Sequence, residues 1–252
     1  MLIAFKGHLL MNKVQPKTGE LIQMLSPSLV NGENRLSEFE IHYIQRNAKH
    51  LPDLNQSLSI QGLLKIVCGE VDEGCDLCER AIALGPNEAA SLINYTLALR
   101  SIGYHKKNYD AYRRATRSVE PAILRDVTNA AVFWVDLEIL DEVIPVIEAM
   151  DLPFDDDIEH AAKLRGFLHE LGGEGRDLQR IAKIMMGIAD NGRILLDVSK
   201  LDFLEDDTLA LMIKIAPEDA SLLSDMNNQL VDALLSEELE MSKFIGLFVA
   251  GD

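Results

Sequence analysis

The sequence predicts a mainly α chain: an α-solenoid of antiparallel helix pairs followed by a small α+β unit. Three observations carry this expectation. Small residues recur 34 positions apart, as Gly69 and Gly103, and as Ala81, Ala115 and Ala149. Gly85-Pro86 and Glu120-Pro121 close successive apolar-periodic runs, as proline does where a helix must stop. Beyond Gly172-Gly173-Glu174-Gly175, short apolar runs of strand length alternate with helical ones.

Taken in order, the first ten residues fit an extended or a helical segment equally. Lys17–Leu25 and Leu36–Leu51 read as helices separated by Pro27 and Asn31-Gly32, with Leu36, Phe39, Ile41, Tyr43 and Ile44 on a rough apolar face. They form an N-terminal cap over residues 1–54. The first repeat places an apolar helix through Leu58, Leu63, Leu64, Ile66 and Val67, a turn at Gly69, and a second helix over Val71–Leu84. Small side chains at Gly62 and Ala81 let these two helices approach closely, and glycine permits the tight turn between them. The second repeat follows as Ala89–Ser101, Gly103 and a helix through Tyr109, Tyr112 and Ala115. The third runs as Ile123–Val135 and Leu137–Met150, with Pro145 predicting a kink.

The stretch from Gly69 through Cys75, Cys78 and Ala81 to Gly85-Pro86-Asn87 resembles the second helix and closing turn of a tetratricopeptide repeat. The resemblance covers residues 55–153. Its first helices keep less of the pattern, since Leu58 and Lys65 stand where that family carries aromatic residues. It implies a concave groove built from the first helix of each repeat. The positions that match are Ser59, Leu63, Ile66 and Val67, then Ile93, Leu97 and Arg100, then Val127, Ala131 and Trp134. Family members that clamp a partner's C-terminal carboxylate use Lys, Asn and Arg there, so the apolar residues here point away from that clamp. A greasy groove must be covered. An amphipathic or apolar segment of a partner, with Trp134 as its anchor, and the chain's own terminal segments both remain open as the cover.

Residues 154–175 read as a capping helix and a hinge. Asp155-Asp156-Asp157 suit the positive end of a helix running from Ile158 to Leu171, and the glycine stretch suits a flexible link. Residues 176–252 read as the α+β unit. It has a helix over Leu178–Ala189, strands at Arg193–Val198 and Leu209–Ile215, a helix from Pro217 to Leu235, and a strand at Phe244–Val249. That order suggests a three-stranded sheet covered by two helices, in the manner of a partial ferredoxin-like unit.

The charge balance narrows the function. The 252 residues hold 41 acids against 24 bases, a formal charge of −17, and residues 151–252 alone hold 22 acids against 9 bases. Such a surface repels phosphate backbones, so no direct nucleic-acid contact is expected. It keeps a protein soluble and attracts a basic partner. Three cysteines in no framework pattern fit a reducing compartment. No run reaches the ~18–20 apolar residues of a membrane span, and the apolar start is too short for a signal peptide. A cytoplasmic protein with no membrane contact is the expectation.

No motif carries chemistry. Cys68, Cys75 and Cys78 lack a second Cys-x-x-Cys pair, and Cys75 and Cys78 fall on core positions. His160 and His169 stand nine apart, on opposite sides of a helix, while His42 and His50 are accounted for as surface residues. Phosphate loop, dinucleotide fingerprint and nucleophile elbow are all missing. Asp202, Glu205, Asp206 and Asp207 lack the alternation and central glycine of a calcium loop, so they read as a solvated loop. Lys106, Lys107, Arg113, Arg114 and Arg117 form the one basic patch, able to pair with the acidic C-terminal unit or an acidic partner.

No catalytic residue, metal or cofactor is therefore expected. The expected function is a non-enzymatic protein–protein interaction module, adaptor or chaperone-like, that binds another protein through the repeat groove. One alternative is an inhibitor of the antitoxin or immunity type that neutralises a basic effector through the acidic C-terminal surface. The other is an enzyme with polar groups converging near Asp197, Lys200 or Lys214.

Overall fold

A computed structural model of the chain describes residues 2–4, 16–150, 155–204, 208–216, 219–237 and 243–251. It is mainly helical with a small sheet. A short strand β1 (Leu2–Ala4) precedes nine helices: α1 (Pro16–Asn31), α2 (Glu38–Lys49), α3 (Leu54–Val67), α4 (Val71–Leu84), α5 (Ala89–Ser101), α6 (His105–Ala115), α7 (Pro121–Phe133), α8 (Leu137–Ala149) and α9 (Asp156–Leu171). Then come α10 (Gly173–Gly192), β2 (Leu196–Phe203), β3 (Leu209–Ile215), α11 (Ala220–Ser236) and β4 (Phe244–Ala250). The chain divides into two compact units. One holds residues 7–102 and 118–123; the other holds 1–6, 103–117 and 124–252. The division thus cuts inside the repeat stretch, just before Gly103.

In the first unit, α1 runs past Pro27 to Asn31, where the sequence suggested a break at the proline. Two effects keep it helical. Leu21, Ile22, Leu25 and Leu29 are all buried on one stripe, and Asn31 Nδ2 donates to the Pro27 carbonyl at 2.7 Å. The helix ends at Gly32, whose φ of +69° and an imagined Cβ 1.9 Å from the Ser101 carbonyl oxygen leave room for glycine alone. Ser37 then starts α2 with a capping box closed by Glu40.

The α3–α4 pair is antiparallel and unusually close. Its register is read from Asn55 Nδ2 bonding the Ala81 carbonyl at 2.6 Å, and from Gly62 lying against both Gly74 and Cys78. A Cβ on Gly62 would sit 2.7 Å from Gly74 O, and one on Gly74 would sit 2.7 Å from Gly62 O. Gly62 was legible as a contact residue from sequence. Its counterpart Gly74 was not, because nothing local marks it. Gly69 turns the chain between the two helices at φ +86°.

In the second unit, Asp136 caps α8 by accepting from Ile139 N at 3.1 Å, and Pro145 lies inside that helix. The turn before it needs a left-handed residue, and Val135 supplies it at φ +54°. A β-branched residue there costs of order 1–3 kcal/mol, compensated by its burial and by the Asp136 N–H bond to Ala131 O at 2.8 Å. Asp155 caps α9 by accepting from Ile158 N, as the acidic run predicted.

The glycine stretch is no flexible link. Gly172 alone, at φ +58°, separates α9 from α10, and Gly173 to Gly175 form the first turn of α10. Gly175 belongs there because a Cβ would come within 2.9 Å of Leu168 O. The sheet order is β1-β2-β3-β4, with β3 and β4 parallel and the other pairs antiparallel. The three C-terminal strands match the predicted number, although β2 begins later than expected and reaches Phe203. Because β3 and β4 are adjacent, no strand is inserted between them, unlike a split ferredoxin-like unit. Both α10 and α11 pack on β4. Gly246 makes that possible, since a Cβ there would lie 2.7 Å from Ile181 Cγ2 and 3.0 Å from Met185 Sδ. Asn227 of α11 ties down the strand, accepting from Phe248 N and donating to Phe248 O, both at 2.9 Å. Among the described residues no helix is long and apolar enough to cross a membrane.

Candidate functional site

The groove residues expected from the repeat resemblance lie mostly inside the protein. Ser59, Leu63, Ile66, Ile93, Leu97, Val127, Ala131 and Trp134 are buried, and Val67 and Arg100 are half-buried. In the first unit, α1 packs on both α3 and α5, so the chain's own N-terminal helix lies over those first helices. Trp134, at 4% exposure, stacks edge-on with Phe133 at 4.9 Å and with His105 at 6.1 Å between ring centroids. Cys75 and Cys78 are buried in α4, with Cys78 Sγ facing the Ser59 carbonyl at 3.9 Å and its thiol pushed well up by burial.

The basic patch is partly internally paired. Arg113 meets Glu138 at 2.9 Å and Asp136 at 3.7 Å, and its guanidinium bonds the Tyr109 hydroxyl at 3.3 Å. The buried carboxylate of Asp136 also accepts from Tyr109. The start of α6 is held by groups that sequence reading missed. Tyr104 offers no side-chain cap, and Asp190 of α10 accepts from Lys106 N at 2.9 Å instead. His105 Nε2 pairs with Ile194 O at 2.7 Å, and Arg193 stacks over the Tyr104 ring at 3.5 Å. Residues 84–89 apart cooperate here, so no local pattern could have announced them.

His160 and His169 do point apart. His169 Nε2 meets Asp141 at 2.7 Å on an exposed surface, where Arg165 also binds Asp141 at 2.6 Å. His160 buries an unpartnered Nε2, and burial pushes its pKa below the usual histidine value. Lys200 is drawn to Asp202, whose carboxyl it holds below the usual range, while Asp197 is exposed. Asp202 lies on β2; Glu205, Asp206 and Asp207 lie outside the described residues.

The open apolar surface is elsewhere, between α9 and the β2–β3 hairpin. Lys163, Leu164 and Phe167 of α9, Leu201, Asp202 and Phe203 of β2, and Leu209 of β3 enclose a cleft of about 240 Å³. Phe203 is 59% exposed and meets Phe167 edge to face, with centroids 6.3 Å apart and planes at 85°. Leu204 beside it is also exposed, and its N–H bonds Thr208 O at 2.8 Å, which closes the hairpin. Phe203 is the last residue of β2, and exposure along the strand rises toward it from the buried Val198 and Ser199. Lys163 at the rim pairs with Glu159 at 2.6 Å. The cleft is smaller than the ~300 Å³ at which cofactor sites begin, and matches one or two apolar side chains.

Comparison with known proteins finds no family model, curated protein or solved structure that matches the chain.

Proposed function

We propose that the chain is a protein-binding module in which the Phe167–Phe203 cleft takes an apolar side chain from a basic, amphipathic segment of a partner. The observation that carries this reading is a large aromatic, Phe203, left mostly exposed beside a cleft of side-chain size. Charge selects the partner. Residues 151–252 carry 22 acids against 9 bases, and Glu205-Asp206-Asp207 follow Leu204 directly in sequence. An apolar seat on a stretch of chain so rich in acids favours lysines and arginines around the inserted side chain. On this reading the helices from α3 to α8 form three tetratricopeptide-like hairpins that act as a scaffold. The order of six helices, and the left-handed turns at Gly69, Gly103 and Val135 within them, support that arrangement.

The inhibitor reading is a sharper form of the same proposal, since a basic effector would meet the same surface. The test is cross-linking and identification of partners from native lysate, then titration of the purified partner. Phe203→Asp is expected to weaken binding at least tenfold, and raised salt to weaken it further through screening of surface charge. Equal affinity for wild type and Phe203→Asp would overturn the proposal.

A further inference from the structure

The first unit contains a buried amide with nowhere to bond. Asn94 sits in the middle of α5 at 1% exposure, and neither Oδ1 nor Nδ2 has a hydrogen-bond partner. Buried polar atoms are nearly always paired, with protein or with ordered water. The environment of Asn94 identifies which. It lines a small cavity where three helices meet: Thr18 and Ile22 come from α1, Gln56, Ser59 and Ile60 from α3, Ala90 and Ser91 from α5 beside it, and Glu88 from the position just before α5. Five of these nine lining residues are hydroxyl or amide side chains.

The neighbouring groups already have direct partners. Thr18 Oγ1 donates to Gln56 Oε1 at 2.5 Å, and Ser91 Oγ donates to Asn55 Oδ1 at 2.9 Å. The cavity measures about 10 Å³, close to the volume at which one water fits and far below that of any larger ligand.

We infer that this cavity is a binding site for a single water molecule, held by the Asn94 side chain and bridging α1 to α3 and α5. A water supplies both a donor for Oδ1 and an acceptor for Nδ2. The bridge gives the buried side chains of Ser59 and Ser91, which line the same cavity, a common polar neighbour. It also makes the seat of α1 a hydrated one at its N-terminal half, around Thr18, and a dry one at Leu25 and Leu29.

The direct test is a crystal structure of the full chain at a resolution that shows ordered water. A density peak within hydrogen-bond distance of the Asn94 amide supports the site. Direct bonding of Asn94 to Gln56 or Ser59, with no peak, overturns it. In solution, water-selective NOE and ROE spectra should show contacts from the Asn94 side-chain amide with the sign of a long-lived bound water. Asn94→Leu should abolish the corresponding contacts at Ser91 and Ser59 while the helical circular dichroism is retained. Persistence of those contacts in a folded Asn94→Leu protein would show that the amide does not hold the water, and would sink the assignment. If that variant does not fold, the wild-type spectra decide alone.

Discussion

The apolar residues in and beside α3, α5 and α7 and those of the Phe203 cleft are alike in composition and opposite in exposure. Leu63, Leu97 and Trp134 are apolar residues at helical spacing, as expected of a groove, and all three are buried. Phe203 closes a strand, and it is exposed. The difference teaches that periodicity reports which face of an element is greasy, but not what lies against that face. For α3 and α5 the cover is α1, which is close in sequence and brings four buried aliphatic side chains. Phe203, at the end of β2, meets the edge of Phe167 and stays mostly exposed.

The largest losses are expected at the buried positions. Leu63→Ala and Trp134→Ala should each cost about 2–5 kcal/mol in denaturant unfolding, as large-to-small changes in a sealed core do. A wild-type melt for either would mean that its side chain is not packed in a core. Phe203→Ala should leave unfolding within about 1 kcal/mol of wild type, since surface truncations rarely cost more. A loss matching that of Leu63→Ala would make the cleft part of the core and remove it as a docking site.

The two glycine turns sharpen the contrast between crowded and open positions. Gly103→Ala should cost well over the ~1 kcal/mol of a left-handed alanine, because its Cβ would also meet Arg193 backbone atoms at 2.6–2.7 Å. Gly69→Ala, with nothing within 4 Å, should cost about that 1 kcal/mol alone. Thermal melts of the pair would distinguish steric from purely conformational cost.

The smallest effect lies on α9, which offers Phe167 to the cleft while burying the ring nitrogen of His160. Burial depresses the folded pKa of His160 below its ordinary 6.5, so the unfolded chain binds the proton more readily. The neutral ring therefore contributes its full stability above pH 6.5. That contribution declines as pH falls through 6.5 toward the lower folded value. Wild type should lose stability relative to His160→Gln over that window, measured as the difference between their unfolding free energies at each pH. Parallel curves for the two proteins would place the ring in solvent.

The 34-residue spacing located α3 to α8 within a few residues, because helix starts and stops depend on capping and turn residues a few positions away. Asp53, Asp136, Asp155 and Asp219 all cap helices, and Gly69 and Gly103 both take left-handed turns. The candidate cleft was scarcely legible. The apolar run predicts a strand that stops at Val198, short of Phe203, because the polar residues Lys200 and Asp202 interrupt it and hide the end of β2.

The order of residues along the chain fixes its helices, their turns, the three C-terminal strands and the acidic charge of residues 151–252, all of which follow from neighbours within about one turn or from bulk charge. That α1 packs on α3 and α5, that Gly74 answers Gly62, that Asp190 caps α6 and that Phe203 is left in the open emerges only once the chain is packed. The reason is physical. Backbone hydrogen bonding and capping are satisfied locally, whereas burial and close approach depend on groups many residues away whose arrival no local pattern records.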